Sequence, residues 1–195
     1  METRKIPNHL ENPFDDFLIG LAEYYTPLYK KYGFNPNMLT TLSFVFFLFS
    51  AYALLHKKIL LFSILYVISY WFDILDGHFA RKYNMETTFG DYYDHVTDTL
   101  GLIIYIIIMV YLYKEKIDTK ICVMTIIMFL LVCTHLGCQE RWSLYGNHAE
   151  SLSTLKILCP ISKKKLPKVL NITKYFGCGS FVIYMVLITF YLDTK

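Results

Sequence analysis

Asp73-Ile-Leu-Asp76-Gly77-His-Phe-Ala80-Arg81 ends one strongly apolar segment, and Gly90-Asp91-Tyr-Tyr-Asp94-His95-Val-Thr-Asp98 opens the next. On helices of about 100° per residue, Asp73 and Asp76 fall on one face, and so do Asp94 and Asp98. Asp73, Gly77 and Arg81 also share a face, so the first helix presents two carboxylates, a gap in its side-chain surface and a guanidinium. The residues between Arg81 and Gly90 form a short connection, which favours antiparallel packing. Four carboxylates at the ends of apolar helices are costly, at roughly 2.5–3.5 kcal/mol each on membrane-insertion scales. A hard divalent cation offsets that cost best, because carboxylate oxygens suit Mg²⁺ or Mn²⁺. Asp73, Asp76, Asp94 and Asp98 are therefore the expected ligands of one or two such ions. That arrangement clamps a phosphate and activates an attacking hydroxyl.

Outward from this stretch, 55% of the 195 residues are hydrophobic and the mean hydropathy is +0.38. The apolar residues fall in long unbroken runs, as expected of an all-α integral membrane protein, a compact bundle of five to six transmembrane helices. Tyr and Phe, 17 and 15 in number, gather near segment ends, where aromatic rings favour the membrane interface. A net charge of +3 is too weak to argue for a nucleic-acid partner. The polar N-terminal stretch lacks the pattern of a cleaved signal peptide.

Phe14, Phe17, Leu18, Leu21, Tyr25, Leu28 and Tyr29 recur at amphipathic-helix spacing, after Asn12 as N-cap and Pro13 as first helical residue. Residues 1–34 are thus expected to form an N-terminal segment with an interfacial helix, bent or broken at Pro27. Residues 35–195 are the expected transmembrane domain. Its spans run from Met38 to about His56, Ile59 to about Arg81, Asp91 to Tyr113, Ile121 to about Leu136, and Tyr175 to Leu192. Ser151 to Cys159 suits a short helix, too short to cross a bilayer.

With five spans, thirteen of the 19 Lys and Arg residues share the side of the aspartates. The positive-inside rule then puts the aspartates at the cytoplasmic face, where the Asn171-Ile-Thr173 sequon goes unused. Cys122, Cys133, Cys138, Cys159 and Cys178 form no CxxC pair and read as small packing residues in reduced form. Cys133-Thr-His135-Leu-Gly-Cys138 lacks the four ligands of a tetrahedral zinc site.

The pattern D-x2-D-G-x2-A-R-x8-G-x3-D-x3-D, matched at every specified position from Asp73 to Asp98, resembles the signature of the CDP-alcohol phosphotransferases. The family usually has six spans and tends to form homodimers. The resemblance implies metal-dependent transfer of a substituted phosphate from a CDP-alcohol to the hydroxyl of a lipid or small-alcohol acceptor, with CMP leaving, in phospholipid synthesis. Asp73, Asp76 and Asp94, with Asp98, would hold the ions, and Asp98 would take the acceptor's proton. Gly77 and Gly90 would admit the nucleotide close to the backbone, Ala80 would keep the cleft open, and Arg81 would pair with phosphate. Pro36-Asn37-x-Leu-Thr40 resembles the family's nucleotide pocket, making Asn37 and Thr40 candidates beside their role as a helix cap.

Asp91 after Gly90 and His95 after Asp94 resemble the choline and ethanolamine branch, so diacylglycerol and a CDP-aminoalcohol are the first expectation. That branch would place the chain in an endoplasmic-reticulum-type membrane if the source is eukaryotic. CDP-diacylglycerol with a serine, inositol or glycerophosphate acceptor is the alternative. Two rivals lie outside the family. A membrane prenyltransferase lacks the Gly-x-x-Ala-Arg spacing. An ion transporter would spread its acids through the membrane depth.

Overall fold

Asn12 caps the first helix as its position demands, its Oδ1 accepting from the backbone N–H groups of Phe14 and Asp15 at 3.0 and 3.4 Å. In the computed structural model, which describes residues 4–145 and 155–195, seven α-helices follow one another and the described residues contain no strand. Helix α1 (Pro13–Lys31) buries Leu18, Ala22 and Thr26 and turns Phe17, Tyr24 and Tyr32 outward. Pro27 does not break it. The proline lacks the N–H that the Glu23 carbonyl would accept, and Lys82 Nζ approaches that oxygen at 3.5 Å instead.

Helices α2 (Pro36–Leu55) and α3 (Ile59–Tyr83) form an antiparallel hairpin, turned through Lys57 at φ +54°. Small residues let the two backbones approach. Ser43 and Ser69 each donate a hydroxyl to the other's backbone carbonyl at 2.9 Å, and Ser50 donates to Phe62 O at 3.0 Å. Asn84, at φ +52°, ends α3 in the left-handed conformation that a short amide side chain tolerates. Helix α4 (Thr88–Tyr113) starts at once, with Thr87 accepting from Gly90 N at 3.0 Å. Helix α5 (Thr119–Tyr145) is followed beyond residue 154 by a 3₁₀ turn, Leu155–Leu158, then α6 (Leu166–Thr173) and α7 (Cys178–Thr194).

Five helical stretches are long and apolar enough to cross a membrane: α2, α3, α4, α5 and Leu166–Thr194. The fourth runs on to Tyr145, past the expected stop near Leu136, because the polar residues after Gly137 face protein instead of lipid. Of the short helix expected over 151–159, residues 151–154 lie outside the described residues and the rest is the 3₁₀ turn. No sixth span occurs among the described residues.

The central core gathers Phe47, Phe62, Tyr105, Met109, Met185 and Leu192 from α2, α3, α4 and α7. Helices α4 and α7 run parallel: Tyr105 donates to Met185 O at 3.1 Å, and Tyr113 donates to Asp193 Oδ1 at 2.9 Å. Around Tyr113 the end remote from the aspartates is tied by Lys116 Nζ to Leu192 O at 2.9 Å and by Lys195 to Asp118 at 3.2 Å. At the aspartate end, Ile6 and Leu10 are buried against Cys138, Cys159, Leu166 and Leu170. Here one expectation is corrected: Cys138 and Cys159 are joined in a disulfide, their Cα atoms 5.2 Å apart. The pairing has no CxxC signature because the partners lie 21 residues apart and meet only when the chain returns across the end of α5. Cys122, Cys133 and Cys178 are free thiols.

Candidate active site

Helix α2 packs along both α3 and α4, and α7 touches both, so the end of α3 and the start of α4 face each other across a cleft. Asp73, Asp76 and Asp94 each contribute one carboxylate oxygen to a group lying within 4.8 Å of one another. Asp98, one turn beyond Asp94 on α4, is exposed and stands outside that group of three. The helical periodicity of the two half-motifs thus brings together three of the four motif carboxylates. The acids gather at one end of the bundle, which argues against an ion path through its depth.

Asp76 is buried, and the Thr40 hydroxyl donates to its Oδ2 at 2.5 Å. Asp94 Oδ1 is buried without a hydrogen-bond partner. A shielded carboxylate oxygen left unmatched, beside oxygens of two further carboxylates, is a donor set that fits Mg²⁺ or Mn²⁺. Asp73, Asp76 and Asp94 are the residues that could hold such an ion, with Asp98 at its edge.

The other expected residues lie at the end of α3, the start of α4 and the start of α2 beside them. A Cβ on Gly77 would sit 3.2 Å from Arg81 Nη1, so the guanidinium folds across the glycine. A Cβ on Gly90 would sit 3.2 Å from Asn37 Oδ1, which brings the start of α2 against the start of α4. Thr41 and Tyr93 hydroxyls meet at 3.0 Å across the same junction. Ala80 is half-buried, its carbonyl accepting from Met85 N at 2.8 Å. His95 is exposed, and its Nδ1 contacts the Asp91 carbonyl at 2.8 Å, one turn back on its own helix.

Sequence reasoning misses a second polar cluster, built by the N-terminal segment beside this one. Glu11 Oε1 accepts from Gln139 Nε2 at 3.0 Å, and Gln139 also meets His135, whose Nδ1 contacts Thr173 Oγ1 at 3.0 Å. Asn12 Nδ2 donates to Lys174 O and Ser180 Oγ at 2.6 and 2.7 Å. Asp15 Oδ1 accepts from the Tyr70 hydroxyl at 2.7 Å. Burial pushes the Glu11 carboxyl up to about 7, with the Asp15 charge adding to it and Arg4 and Arg81 opposing it. Burial likewise raises Asp15 to about 6, against the bonds from Tyr70 and the Gly179 N–H. The signals were present: two acids flank Asn12-Pro13, and Gly177 and Gly179 open the last helix.

Comparison with known proteins agrees with the geometry. The family model described as CDP-alcohol phosphatidyltransferase matches residues 34–162. The CDP-diacylglycerol–glycerol-3-phosphate 3-phosphatidyltransferase of Rickettsia felis is 28% identical over 131 residues, 63% of each chain. The chain thus spans a little under two thirds of the length of the curated relatives it matches best along its length. CDP-diacylglycerol–inositol 3-phosphatidyltransferase 1 of Arabidopsis thaliana is 34% identical over 67 residues, 34% of this chain and 30% of the relative. These relatives are named for CDP-diacylglycerol, which favours the alternative donor over the aminoalcohol first expected. A family match over most of the chain and a converged set of motif carboxylates lead to one conclusion: the chain belongs to the CDP-alcohol phosphatidyltransferase family.

Proposed function

We propose that this protein is an integral membrane transferase of phospholipid synthesis that uses CDP-diacylglycerol as donor. The acceptor is a small alcohol of the glycerol 3-phosphate or inositol class. The acceptor hydroxyl attacks the phosphorus that carries the diacylglycerol group, the P–O bond to CMP breaks, and CMP leaves. Asp73, Asp76 and Asp94 would hold Mg²⁺ or Mn²⁺, which would supply the positive charge that offsets the diphosphate. Asp98, in the open part of the cleft, takes the acceptor's proton. Arg81, lying over Gly77, pairs with phosphate, while Gly90 and Asn37 shape the nucleotide side and Thr40 keeps Asp76 in place. The observation that carries this reading is the convergence of three carboxylate oxygens within 4.8 Å in a chain that matches the family model.

The aminoalcohol reading rested on Asp91 and His95. His95 Nδ1 contacts the Asp91 carbonyl on its own helix, and the relatives named for CDP-diacylglycerol support the alternative donor. Purified protein supplied with CDP-diacylglycerol, CDP-choline or CDP-ethanolamine, a divalent ion and a panel of acceptors tests the assignment. Acceptor-dependent CMP release from CDP-diacylglycerol, abolished by chelator and by Asp94→Asn, is the expected result. Release from CDP-choline with diacylglycerol instead would restore the first expectation.

A cytoplasmic site and a homodimer complete the proposal. The excess of Lys and Arg at the aspartate end supports the first, and the family's habit supports the second. Cys138 and Cys159 lie at that same end, both buried beneath Ile6 and Leu10, so a cytoplasmic placement requires their bond to be shielded from thiol reductants. Labelling of an exposed-loop cysteine in sealed and opened vesicles decides the side, and cross-linking in native membranes tests the dimer.

A further inference from the structure

We infer that Asp15 and Tyr70 are positioning residues for the metal-binding end of α3, with Asp15 joining three helices at one carboxylate. This rests on the metal site proposed above and extends it to residues outside the motif. Tyr70 lies one turn before Asp73, so the two side chains leave α3 within about 60° of each other. Its hydroxyl is held by Asp15 Oδ1 at 2.7 Å. The same oxygen lies against Gly179 at the start of α7. A Cβ on Gly179 would stand 2.2 Å from Asp15 Oδ1 and 3.0 Å from Asn12 Oδ1, so glycine is what allows α1 to reach α7 at all. Asn12 then closes the junction from the other side through Lys174 O and Ser180 Oγ.

A buried carboxylate is a costly way to join helices that apolar packing would join more cheaply. What it adds is direction. A hydrogen bond of fixed length to Tyr70 sets the rotation and height of α3 at the turn that carries Asp73, whereas interdigitated apolar side chains tolerate small slips. Asp15 is only 7% exposed, so solvent does not compete for this bond. The N-terminal segment, which the sequence places at the membrane interface, in this way becomes part of the frame of the site.

The test is Mn²⁺ affinity, measured by electron paramagnetic resonance on full-length protein in detergent without substrate, with thermal stability followed in parallel. Tyr70→Phe removes one oxygen and keeps the ring. It is expected to weaken Mn²⁺ binding about tenfold, as outer partners of metal ligands do. Asp15→Ala should match that loss, and the double variant should bind no worse than either single one. Asp15→Asn, which keeps an acceptor for the Tyr70 hydroxyl, should restore affinity to within about threefold. Wild-type affinity in Tyr70→Phe, or losses that simply add, would overturn the inference. Lower thermal stability with unchanged Mn²⁺ affinity would also overturn it, since that is what a merely structural tie predicts. If the wild-type protein binds no Mn²⁺, the metal site falls and this inference falls with it. If the wild type binds and the variants bind equally, only the positioning role is lost.

Discussion

Thr40 on α2 donates its hydroxyl to Asp76 Oδ2 on α3 at 2.5 Å, so a helix outside the motif fixes the orientation of one motif carboxylate. The same hydroxyl lies 3.2 Å from Pro36 O, one turn back on α2. Thr40→Val keeps the shape and removes the donor. Transfer activity per unit of metal-loaded protein should fall by about 10- to 100-fold, and the metal concentration for half activity should rise, whereas Thr40→Ser should retain most of both. Steady-state rates across a Mn²⁺ titration check this.

Two glycines should respond in opposite ways to the same added methyl group. At Gly77 the new Cβ meets the flexible end of Arg81, which can swing aside. Gly77→Ala should therefore fold normally and raise the KM for the nucleotide donor severalfold, through a displaced guanidinium. At Gly179 the new Cβ would overlap Asp15 Oδ1 within a crowded junction that includes Phe14. Gly179→Ala should destabilise the protein by about 1–3 kcal/mol or more. Detergent thermal melts with donor kinetics separate the two outcomes.

The bond between Cys138 and Cys159 closes a loop of 21 residues, for which chain entropy gives about 3 kcal/mol of stabilisation. Serine at either position should lower the melting temperature in non-reducing buffer. The wild-type protein should take up two further alkyl groups only after denaturation and reduction, read by intact mass.

Glu11 should make stability depend on pH. Its carboxyl is raised to about 7 in the folded protein from an ordinary value of 4.5. The folded state therefore holds a proton that the unfolded chain has lost, and stability falls as pH rises between about 4.5 and 7, then levels off. Asp15, raised to about 6 from 3.8, adds loss of the same sign at lower pH. Glu11→Gln keeps an acceptor for Gln139 and should be more stable than wild type at pH 8, by on the order of 2–3 kcal/mol. Melting curves at pH 5 and pH 8 should show the gap between the two proteins closing at the lower pH.

The first three spans, their boundaries near Leu55, Tyr83 and Thr88, and the meeting of Asp73, Asp76 and Asp94 were legible because helical periodicity carries them. Each half-motif fixes its own face, and a short connection brings the halves together. Asp91 and His95 suggested an aminoalcohol donor as sequence neighbours of Gly90 and Asp94, whereas the relatives, named for CDP-diacylglycerol, favour the alternative. On the helix, His95 points about 100° away and contacts its own backbone. Long-range partners were not legible at all. Nothing local in Asp15 names Tyr70, and nothing in Cys138 names Cys159. Pro27 was read by its own backbone defect, while the relief comes from Lys82, a residue of another helix.

The charged ties around Tyr113, Lys116, Asp118 and Asp193 close the bundle at one end, while at the other α3 and α4 face each other across carboxylates that repel. The two ends of the molecule therefore differ in kind: one is held by bonds already made within the protein, the other keeps like charges side by side. A divalent ion between Asp73, Asp76 and Asp94 would offset that repulsion, and an anionic diphosphate would be drawn to this end only once the ion is there. What the bonds around Tyr113 supply at one end, a bound cation would have to supply at the other, so ion removal should loosen the aspartate end first.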